Sequence, residues 1–313
     1  MTAASMRVSY SEAYVDTAVA FDTFRKAAAI AASLRNDPVP GVELIEPPPV
    51  GRDDLCTVHT DAYVDAVLTG EPRELAMSNE LGWDEGLGRA VCASTGGVVV
   101  AALSVLGSER IAGSRSSGLH HAHPGHGRGY CTVNGLVVAA VSAVSAGAAR
   151  VLILDLDAHC GGGSAAILAA LAARTSRGSS IEQVDVSVDD FDTYASRPDA
   201  RLTMTDGPGY LATVGAALDG IDEPSGIDLV LYNAGVDPHH RAGGVAGIDD
   251  TVLARREEMV FGWARAHGLP VAWVLAGGYI HGVETKPGVD GTDLAGLVAL
   301  HRLTIEAAAA ASR

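Results

Sequence analysis

Val151-Leu152-Ile153-Leu154-Asp155-Leu156-Asp157-Ala158-His159 is the stretch of sequence that decides the fold. An apolar run of strand length comes first, and chemically reactive side chains then occupy every second position. Because residues i, i+2 and i+4 of an extended chain line one face, Asp155, Asp157 and His159 are predicted to share one small volume. Carboxylates that close repel each other unless a cation or a proton lies between them. Zinc or a similar first-row ion suits this donor set, and the alternative is an acidic turn that faces solvent.

Apolar runs of strand length alternate with helical patterns along most of the chain. Strands are predicted at Arg7 to Tyr10, just before Asp61, and at Val151 to Leu154, Val184 to Val188, Leu229 to Tyr232 and Val271 to Leu275. Helices are predicted at 21–34, 61–68, 87–106, 134–146, 164–173, 209–218, 251–267 and 294–311, with polar loops at 174–180 and 189–201. The strands are almost continuously apolar, which is typical of parallel strands covered on both faces. We therefore expect one α/β domain over residues 1–313, with a central, mainly parallel sheet flanked by helices.

Composition narrows the functional class. The chain has 313 residues, 48% hydrophobic and 19% charged, which allows a sizeable core and argues against global disorder. Its 38 acidic and 22 basic residues give a net charge of −16, so no nucleic-acid partner is expected, because phosphate contacts need clustered Lys and Arg. An acidic surface attracts cationic ligands such as amines, although acidity also serves solubility alone.

The cysteines and the apolar segments point to a cytoplasmic protein. Four widely spaced cysteines form no CxxC pair, and the first residues show no signal peptide, so a reduced environment is expected. The apolar run from Gly135 to Ala149 is too short to cross a bilayer. We expect no membrane partner, and the oligomeric state stays open with a homo-oligomer as one option.

Two further predicted strands also end in reactive groups. Leu229–Tyr232 continues into Asn233-Ala234-Gly235-Val236-Asp237, and Val271–Leu275 continues into Ala276-Gly277-Gly278-Tyr279. Glycines before Asp237 and Tyr279 allow tight turns. Ligands of open parallel sheets bind at the carboxyl ends of strands, so we expect these groups to meet at one site.

A histidine-rich loop precedes the helix predicted from Asn134. His120, His121, His123 and His126 lie there, four of the 11 histidines of the chain. Adjacent histidines in a glycine-rich loop indicate proton transfer or metal binding. The alternative is a surface loop that binds metal adventitiously. Together these residues supply what amide hydrolysis needs. A bound metal polarises the carbonyl and activates water, histidines move protons, and a hydroxyl group stabilises the oxyanion.

Taken together, the motifs resemble the zinc-dependent histone deacetylase and acetylpolyamine amidohydrolase superfamily, which has an arginase-like α/β fold. The likeness extends in order from about Val58 to Tyr279. It rests on His120-His121-Ala122, Gly129-Tyr130-Cys131 with Asn134, Asp155-x-Asp157-x-His159 with Gly161 and Gly163, Asn233-Ala234-Gly235-Val236-Asp237, and Gly277-Gly278-Tyr279.

The resemblance implies a zinc site formed by Asp157, His159 and Asp237. It also implies four catalytic roles: His121 as the general base and a candidate acid, His120 as its electrostatic partner, Asp155 as the residue that orients His120, and Tyr279 as the clamp on the carbonyl and the oxyanion.

Substrate and cation contacts are implied as well. In the family, Gly129 offers a backbone carbonyl near the scissile amide, Tyr130 matches an aromatic wall of the acyl-lysine tunnel, and Asp84 in Gly82-Trp83-Asp84 resembles a rim acid that grips the substrate backbone. A monovalent-cation site, usually potassium, is implied behind the zinc by Asp155, Asp157, His159, Ser187 and Val188.

The chain departs from the family pattern at several positions. Cys160 stands where a second histidine is usual, and Gly162 stands where an Asp or Asn would orient His121. His121 is therefore expected to lack an acidic partner and to have a lowered pKa. The run 238–244 lacks the usual bulky apolar residue, and Asp16-Thr17-Ala18 replaces a His-Pro motif.

We expect a zinc-dependent amidohydrolase that removes an acetyl or related acyl group from an amine. The acidic charge favours a cationic small molecule, such as an acetylpolyamine or an acyl-lysine-like metabolite, over chromatin. Gly162 and the altered pocket motivate one alternative, an acyl-amine-binding protein of the same fold with weak or no turnover. The second alternative, an arginase-like ureohydrolase with two manganese ions, is disfavoured because only one complete metal triad is found.

Overall fold

Eight parallel strands form the central sheet of the protein, in a computed structural model that describes residues 5–18, 22–117, 119–173, 180–279 and 293–313. The strand order within these residues is β2-β1-β3-β8-β7-β4-β5-β6, and every pairing is parallel. The strands are β1 Met6–Ser9, β2 Val42–Ile45, β3 Ile111–Ser114, β4 Arg150–Asp155, β5 Ser180–Ser187, β6 Ala200–Met204, β7 Leu229–Asn233 and β8 Val271–Val274. The prediction of a parallel α/β domain is confirmed.

Helices cover both faces of the sheet. They are α1 Asp22–Asn36, α2 Arg52–Cys56, α3 Asp61–Thr69, α4 Arg73–Ala76, α5 Glu85–Gly107, α6 Gly135–Ser145, α7 Gly162–Ala172, α8 Tyr210–Asp219, α9 Asp250–His267 and α10 Leu294–Ala311. Strand β4 shows why its sequence is apolar throughout. Leu152 and Leu154 pack into one hydrophobic cluster, while Val151 and Ile153 pack into another. Since successive side chains point to opposite faces, both faces of β4 are buried.

The structure differs from the sequence prediction mainly in short elements. Strands β2, β3 and β6 were not predicted, and β6 begins at the end of the segment 189–201 that was predicted as a loop. The strand predicted before Asp61 is wrong, because helix α2 ends at Cys56 and Thr60 then caps α3 by accepting a hydrogen bond from the backbone N–H of Tyr63 at 3.4 Å. Strands of four or five residues carry too few side chains for a clear pattern.

The sheet order places three strand ends side by side. In the register of β4 and β7, Asp155 pairs with Asn233, and in that of β7 and β8, Asn233 pairs with Val274. The loops that follow β4, β7 and β8 therefore leave the same edge of the sheet next to one another.

Helices α5 and α10 are each long and apolar enough, by length and composition, to cross a membrane. In α5, 56% of the apolar window is buried inside the protein, and in α10 the share is 44%. Helix α5 packs on α6 and on strand β3. A core helix passes the same test of length and composition, so these two helices are weak evidence for a membrane span.

Close packing of β3 on β8 generates a prediction about stability. Gly113 pairs with the fully buried Trp273, and a Cβ atom at position 113 would overlap the indole ring. Gly113→Val should lower the free energy of unfolding by about 1–3 kcal/mol or more, because the ring has no free volume to move into. Urea denaturation of both proteins measures the difference.

Gly262→Ala is the matched control, since a Cβ atom there meets no atom within 4 Å. It lies in helix α9, where alanine is favoured over glycine, so no loss of stability is expected. A Gly113→Val protein as stable as the parent would show that β3 and β8 do not pack as described.

Candidate metal centre and active site

Asp157, His159 and Asp237 converge at the carboxyl ends of β4 and β7. Each offers one ligand atom, and the three atoms lie within 4.8 Å of one another. The His159 Nδ1 atom is 3.1 Å from Asp157 Oδ1 and 3.2 Å from Asp237 Oδ2. The backbone N–H of Ala158 donates to Asp237 Oδ1 at 3.0 Å, which ties the two loops together. The structure thus brings together the three residues expected to ligate a metal.

Several observations fit a divalent ion at this position. Asp237 Oδ2 is buried, and although His159 Nδ1 approaches it to 3.2 Å, the geometry within the described residues gives it no well-formed hydrogen bond. Burial raises the pKa of Asp237, and the neighbouring charge of Asp157 raises it further, so a cation between the two carboxylates would relieve an unfavourable arrangement. A Cβ atom on Gly277 would overlap the carboxylates of both Asp157 and Asp237. Two carboxylates and one imidazole form a donor set that suits zinc.

A two-metal site of the ureohydrolase kind gains no support. Across the part of the chain that the structure describes, the group of Asp157, His159 and Asp237 is the one cluster of three or more His, Cys, Asp or Glu side chains close enough to hold an ion. His239, in the histidine-containing run after Asp237, is fully buried and contacts Asp250 through Nε2 at 2.9 Å. That contact gives His239 a structural role.

Arg256 of helix α9 holds the backbone beneath the metal ligands. Its Nη1 atom donates to the carbonyl oxygens of Leu156 at 3.1 Å and of Gly235 at 2.6 Å. The guanidinium is fully buried and also donates to the neighbouring Glu257. Sequence analysis missed this residue, because Arg255-Arg256-Glu257-Glu258 has the appearance of a solvent-exposed charge run.

Two adjacent histidines lie beside the metal ligands, each with its own carboxylate. His120 Nδ1 is 2.8 Å from Asp155 Oδ2, and His121 Nδ1 is 3.1 Å from Asp192 Oδ2. The two imidazole rings are 4.0 Å apart, centre to centre. Asn134, the N-cap of α6, steadies this loop by donating to the carbonyl oxygen of Ala122 at 3.2 Å.

The two histidines have different electrostatic surroundings, which shift their pKa values in opposite directions. Burial by itself lowers the pKa of His120, but the charges of Asp155 and Asp157 outweigh it and raise the pKa to about 10. Burial and the charge of His120 lower the pKa of His121 to about 3, despite the hydrogen bond to Asp192. His120 is therefore the cationic member of the pair and His121 the neutral one at neutral pH. A neutral imidazole that donates from Nδ1 keeps its other nitrogen free to accept a proton.

The expectation that His121 lacks an acidic partner is wrong. Asp192 supplies the carboxylate from the loop after β5, 71 residues further along the chain. The lowered pKa of His121 has a different cause, namely burial and the neighbouring His120. The one sequence signal that could have found Asp192 is the acidic stretch Asp189-Asp190-Phe191-Asp192, which directly follows a predicted strand.

Two aromatic side chains, Tyr279 and Phe191, lie beside His159 and His121. The Tyr279 ring centre is 6.4 Å from that of His159, and burial followed by the charges of Asp237 and Asp157 raises the pKa of Tyr279 well above its usual value. Its hydroxyl therefore keeps its proton and can act as a hydrogen-bond donor. Phe191, which sequence analysis also missed, stands edge-on to His121 at 4.9 Å between ring centres.

Gly129 and Tyr130 lie in the same loop as the histidines, and both adopt positive φ angles, 51° and 61°. A Cβ atom on Gly129 would lie 2.5 Å from the Phe191 ring and 2.9 Å from the imidazole of His121. Only glycine allows the backbone to approach this closely. The structure thus places Gly129, whose backbone carbonyl is predicted to lie near the scissile amide, directly beside His121, the candidate base.

Asp84 has a structural role at the start of helix α5, and its expected contact with substrate stays a prediction. It is the N-cap of α5, where Oδ1 accepts from the backbone N–H of Leu87 at 2.9 Å. Oδ2 accepts from the Thr17 hydroxyl at 2.9 Å and from the backbone N–H of Ala18 at 2.6 Å. Both oxygens are thus engaged by protein donors, and Asp16-Thr17-Ala18 is the segment that they anchor.

Ser187 and Val188 lie beside the metal-binding loop, where a monovalent-cation site is predicted. Strand β5 pairs with β4, and the backbone N–H of Val188 donates to the carbonyl oxygen of Ala158 at 2.9 Å. The Ser187 hydroxyl donates to Asp185 at 2.6 Å. The cation site itself stays a prediction. Cys160 is buried, with Sγ 3.4 Å from the Asp189 carbonyl oxygen.

Known proteins resemble this chain in both sequence and structure. A family model described as the histone deacetylase domain matches residues 21–177. An uncharacterised protein of Picosynechococcus is 32% identical over 257 residues, which cover 77% of this chain and 80% of that protein.

Two further relatives match this chain over a smaller share of their own length. The acetoin utilization protein AcuC of Bacillus subtilis is 34% identical over 131 residues, 39% of this chain and 34% of AcuC. Histone deacetylase 2 of Arabidopsis thaliana is 26% identical over 251 residues, 76% of this chain and 63% of that protein. The chain thus spans less than two thirds of the length of these two relatives.

A solved structure shares the fold of this chain. The crystal structure of the HDA15 HD domain superposes on it with a TM-score of 0.76 at 22% sequence identity. The superposition covers 98% of this chain and 90% of that one.

The buried Oδ2 atom of Asp237 generates a prediction about metal binding. Asp237→Asn keeps the size of the side chain but removes one of the two charges that hold the ion, so most of the bound metal should be lost. After incubation with zinc and gel filtration, elemental analysis of parent and variant measures the metal content per chain.

Asp53→Asn removes an equal charge from a fully exposed side chain and should leave the metal content unchanged. Parental metal content in Asp237→Asn would place the metal site elsewhere in the protein.

Proposed function

This chain belongs to the histone deacetylase family, and we propose that it is a zinc-dependent amide hydrolase that removes an acetyl or related acyl group from an amine. One observation carries the proposal: Asp157, His159 and Asp237 converge, and the rings of His121 and Tyr279 lie 5.8 Å and 6.4 Å from that of His159. A metal site, a proton acceptor and a hydrogen-bond donor to the oxyanion, close to one another, are the parts that hydrolysis of an unactivated amide requires.

Zinc held by Asp157, His159 and Asp237 would supply Lewis acidity, polarising the scissile carbonyl and lowering the pKa of a water molecule. His121 is the group suited to take the proton of that water, because burial and the neighbouring His120 lower its pKa and its ring centre lies 5.8 Å from that of His159. As the water oxygen bonds to the carbonyl carbon, negative charge develops on the carbonyl oxygen. Tyr279 then stabilises that charge by donating its hydroxyl proton in a hydrogen bond.

Collapse of the tetrahedral species breaks the carbon–nitrogen bond and requires a proton on the leaving amine. His121 can return the proton that it accepted, which balances the reaction without an outside acid. The Asp155 carboxylate, 2.8 Å from His120 Nδ1, favours the protonated form of His120, whose positive charge would favour negative charge on the neighbouring reacting atoms. A potassium ion bound near Ser187 and Val188 would reinforce the loop that carries Asp157 and His159.

The substrate that we propose is a small acylated amine carrying positive charge, such as an acetylpolyamine or an acyl-lysine-like metabolite. The net charge of −16 favours such a ligand and disfavours a nucleic-acid or chromatin partner. A cytoplasmic location agrees with the four free cysteines, Cys56, Cys92, Cys131 and Cys160. The alternative of an inactive binding protein rests on Gly162 and on the altered run 238–244. Asp192 supplies a carboxylate to His121 in place of a side chain at 162, so only the altered run still favours that alternative.

Tyr279→Phe tests the oxyanion role. Loss of one hydrogen-bond donor to the developing charge should lower kcat by about 100- to 1000-fold while the metal stays bound. Acetate release and metal content are measured on the same samples. Tyr10→Phe, which removes a hydroxyl that donates to Glu12, is the matched control and should keep parental activity. Full activity in Tyr279→Phe would refute the role.

A substrate survey tests the proposed chemistry. Purified protein loaded with zinc should release acetate from acetylated diamines and polyamines faster than from acetylated amines of equal length that carry a carboxylate, because the surface is acidic. The rates should converge as ionic strength rises. Equal rates at low salt would contradict the proposed charge preference. Release of no acyl group from any amine tested would contradict the proposed function.

A further inference from the structure

A side chain at position 162 would occupy the same space as Asp192. A Cβ atom built on Gly162 would lie 2.7 Å from the carboxyl carbon of Asp192 and 2.9 Å from its Oδ1 atom, and would overlap the Asp192 carbonyl oxygen. The Asp192 side chain therefore fills the space in which a side chain at position 162 would begin. A residue larger than glycine at 162 and the observed placement of Asp192 exclude one another.

The Asp192 carboxylate is held from several sides. Oδ2 is 3.1 Å from His121 Nδ1 and accepts from the backbone N–H of Gly163 at 3.1 Å. Oδ1 is 3.2 Å from His123 Nε2 and 3.4 Å from Arg128 Nε. The side chain is only 4% exposed. A carboxylate with this many donors is fixed in orientation as well as ionised.

The backbone of Asp192 also departs from ordinary loop geometry. Its φ angle is 58°, in the left-handed region that Asp adopts more readily than most residues but that still costs free energy. Beside it, Arg128 lies over the ring of Phe191, 5.2 Å from the ring centre. The surrounding contacts thus hold a strained residue with its carboxylate turned towards His121.

We propose that Asp192 is the positioning residue that orients His121 and keeps the proton on its Nδ1 atom, a task for which position 162 has no side chain. A carboxylate that accepts from one imidazole nitrogen fixes both the ring orientation and the tautomer. The other nitrogen, Nε2, is then available to the attacking water. The catalytic part of this inference rests on the proposed hydrolase function, whereas the tautomer part does not.

Kinetics of three variants test the catalytic part. Asp192→Ala should lower kcat by about 10- to 100-fold with KM and metal content near those of the parent, because the base is misoriented while the metal ligands are untouched. The kcat of Asp192→Asn should lie between those of the parent and Asp192→Ala, since the amide oxygen of Asn still accepts from Nδ1 of His121 but carries no charge. Asp190→Asn, an exposed acid two residues earlier, should match the parent.

A fourth variant tests the shared space. Gly162→Ala should lower kcat although it adds only a methyl group, because the new Cβ atom forces Asp192 away from His121. Thermal unfolding of all four variants shows whether they stay folded. A Gly162→Ala enzyme with parental kcat would contradict the mutual exclusion of the two side chains.

Heteronuclear NMR of isotope-labelled histidine tests the tautomer without any need for turnover. The His121 signals, assigned by their loss in His121→Gln, should show a proton on Nδ1 and none on Nε2 in the zinc-loaded parent. Asp192→Ala should shift His121 towards a mixture of tautomers, and Asp190→Asn should not.

Unchanged kcat in Asp192→Ala, or a parental His121 protonated on Nε2 alone, would overturn the inference. A parent that hydrolyses no acyl amine but shows the Asp192-dependent tautomer would refute the proposed function and support the positioning role of Asp192. The two proposals can therefore fail separately.

Discussion

Repulsion between two buried carboxylates, those of Asp157 and Asp237, is the constraint on which the site depends. Both are fully buried, and they face each other across a gap that also contains His159 Nδ1. Buried like charges are tolerated only when a cation or proton compensates them. The surrounding structure serves that arrangement, because Gly277 leaves room for the two side chains and Arg256 fixes the backbone of both loops. A parallel sheet provides the framework, since it brings the ends of β4, β7 and β8 to one edge.

Burial alone does not explain why two adjacent and chemically identical side chains, His120 and His121, differ in charge. His120 faces two carboxylates, whose charges outweigh the cost of burying an imidazolium. His121 faces one carboxylate and the charge of His120, and burial then keeps it neutral. The proposed proton transfer would use this asymmetry, because a base must be unprotonated when water attacks, whereas a fixed positive charge would stabilise the transition state.

Asp192 shows how a fold can keep a contact while changing the residue that supplies it. The acid that supports His121 comes from the loop after β5, and Gly162 leaves the space that this acid occupies. The same carboxylate also contacts His123 and Arg128, so it joins the candidate base to the outer part of the histidine-rich loop. A shift in that loop would therefore reach His121 through Asp192.

Sequence by itself determined the parallel α/β architecture and the three residues that converge at the predicted metal site. The apolar run 151–154 required a strand buried on both faces, and period-two spacing set Asp155, Asp157 and His159 on one side of it. Only the tertiary structure decided the partner of His121, the buried position of Arg256, the contact of Phe191 with His121 and the capping role of Asp84. Local spacing carries information about neighbours along the chain, whereas these contacts join residues far apart in sequence, and their geometry exists only once the sheet and its loops have assembled.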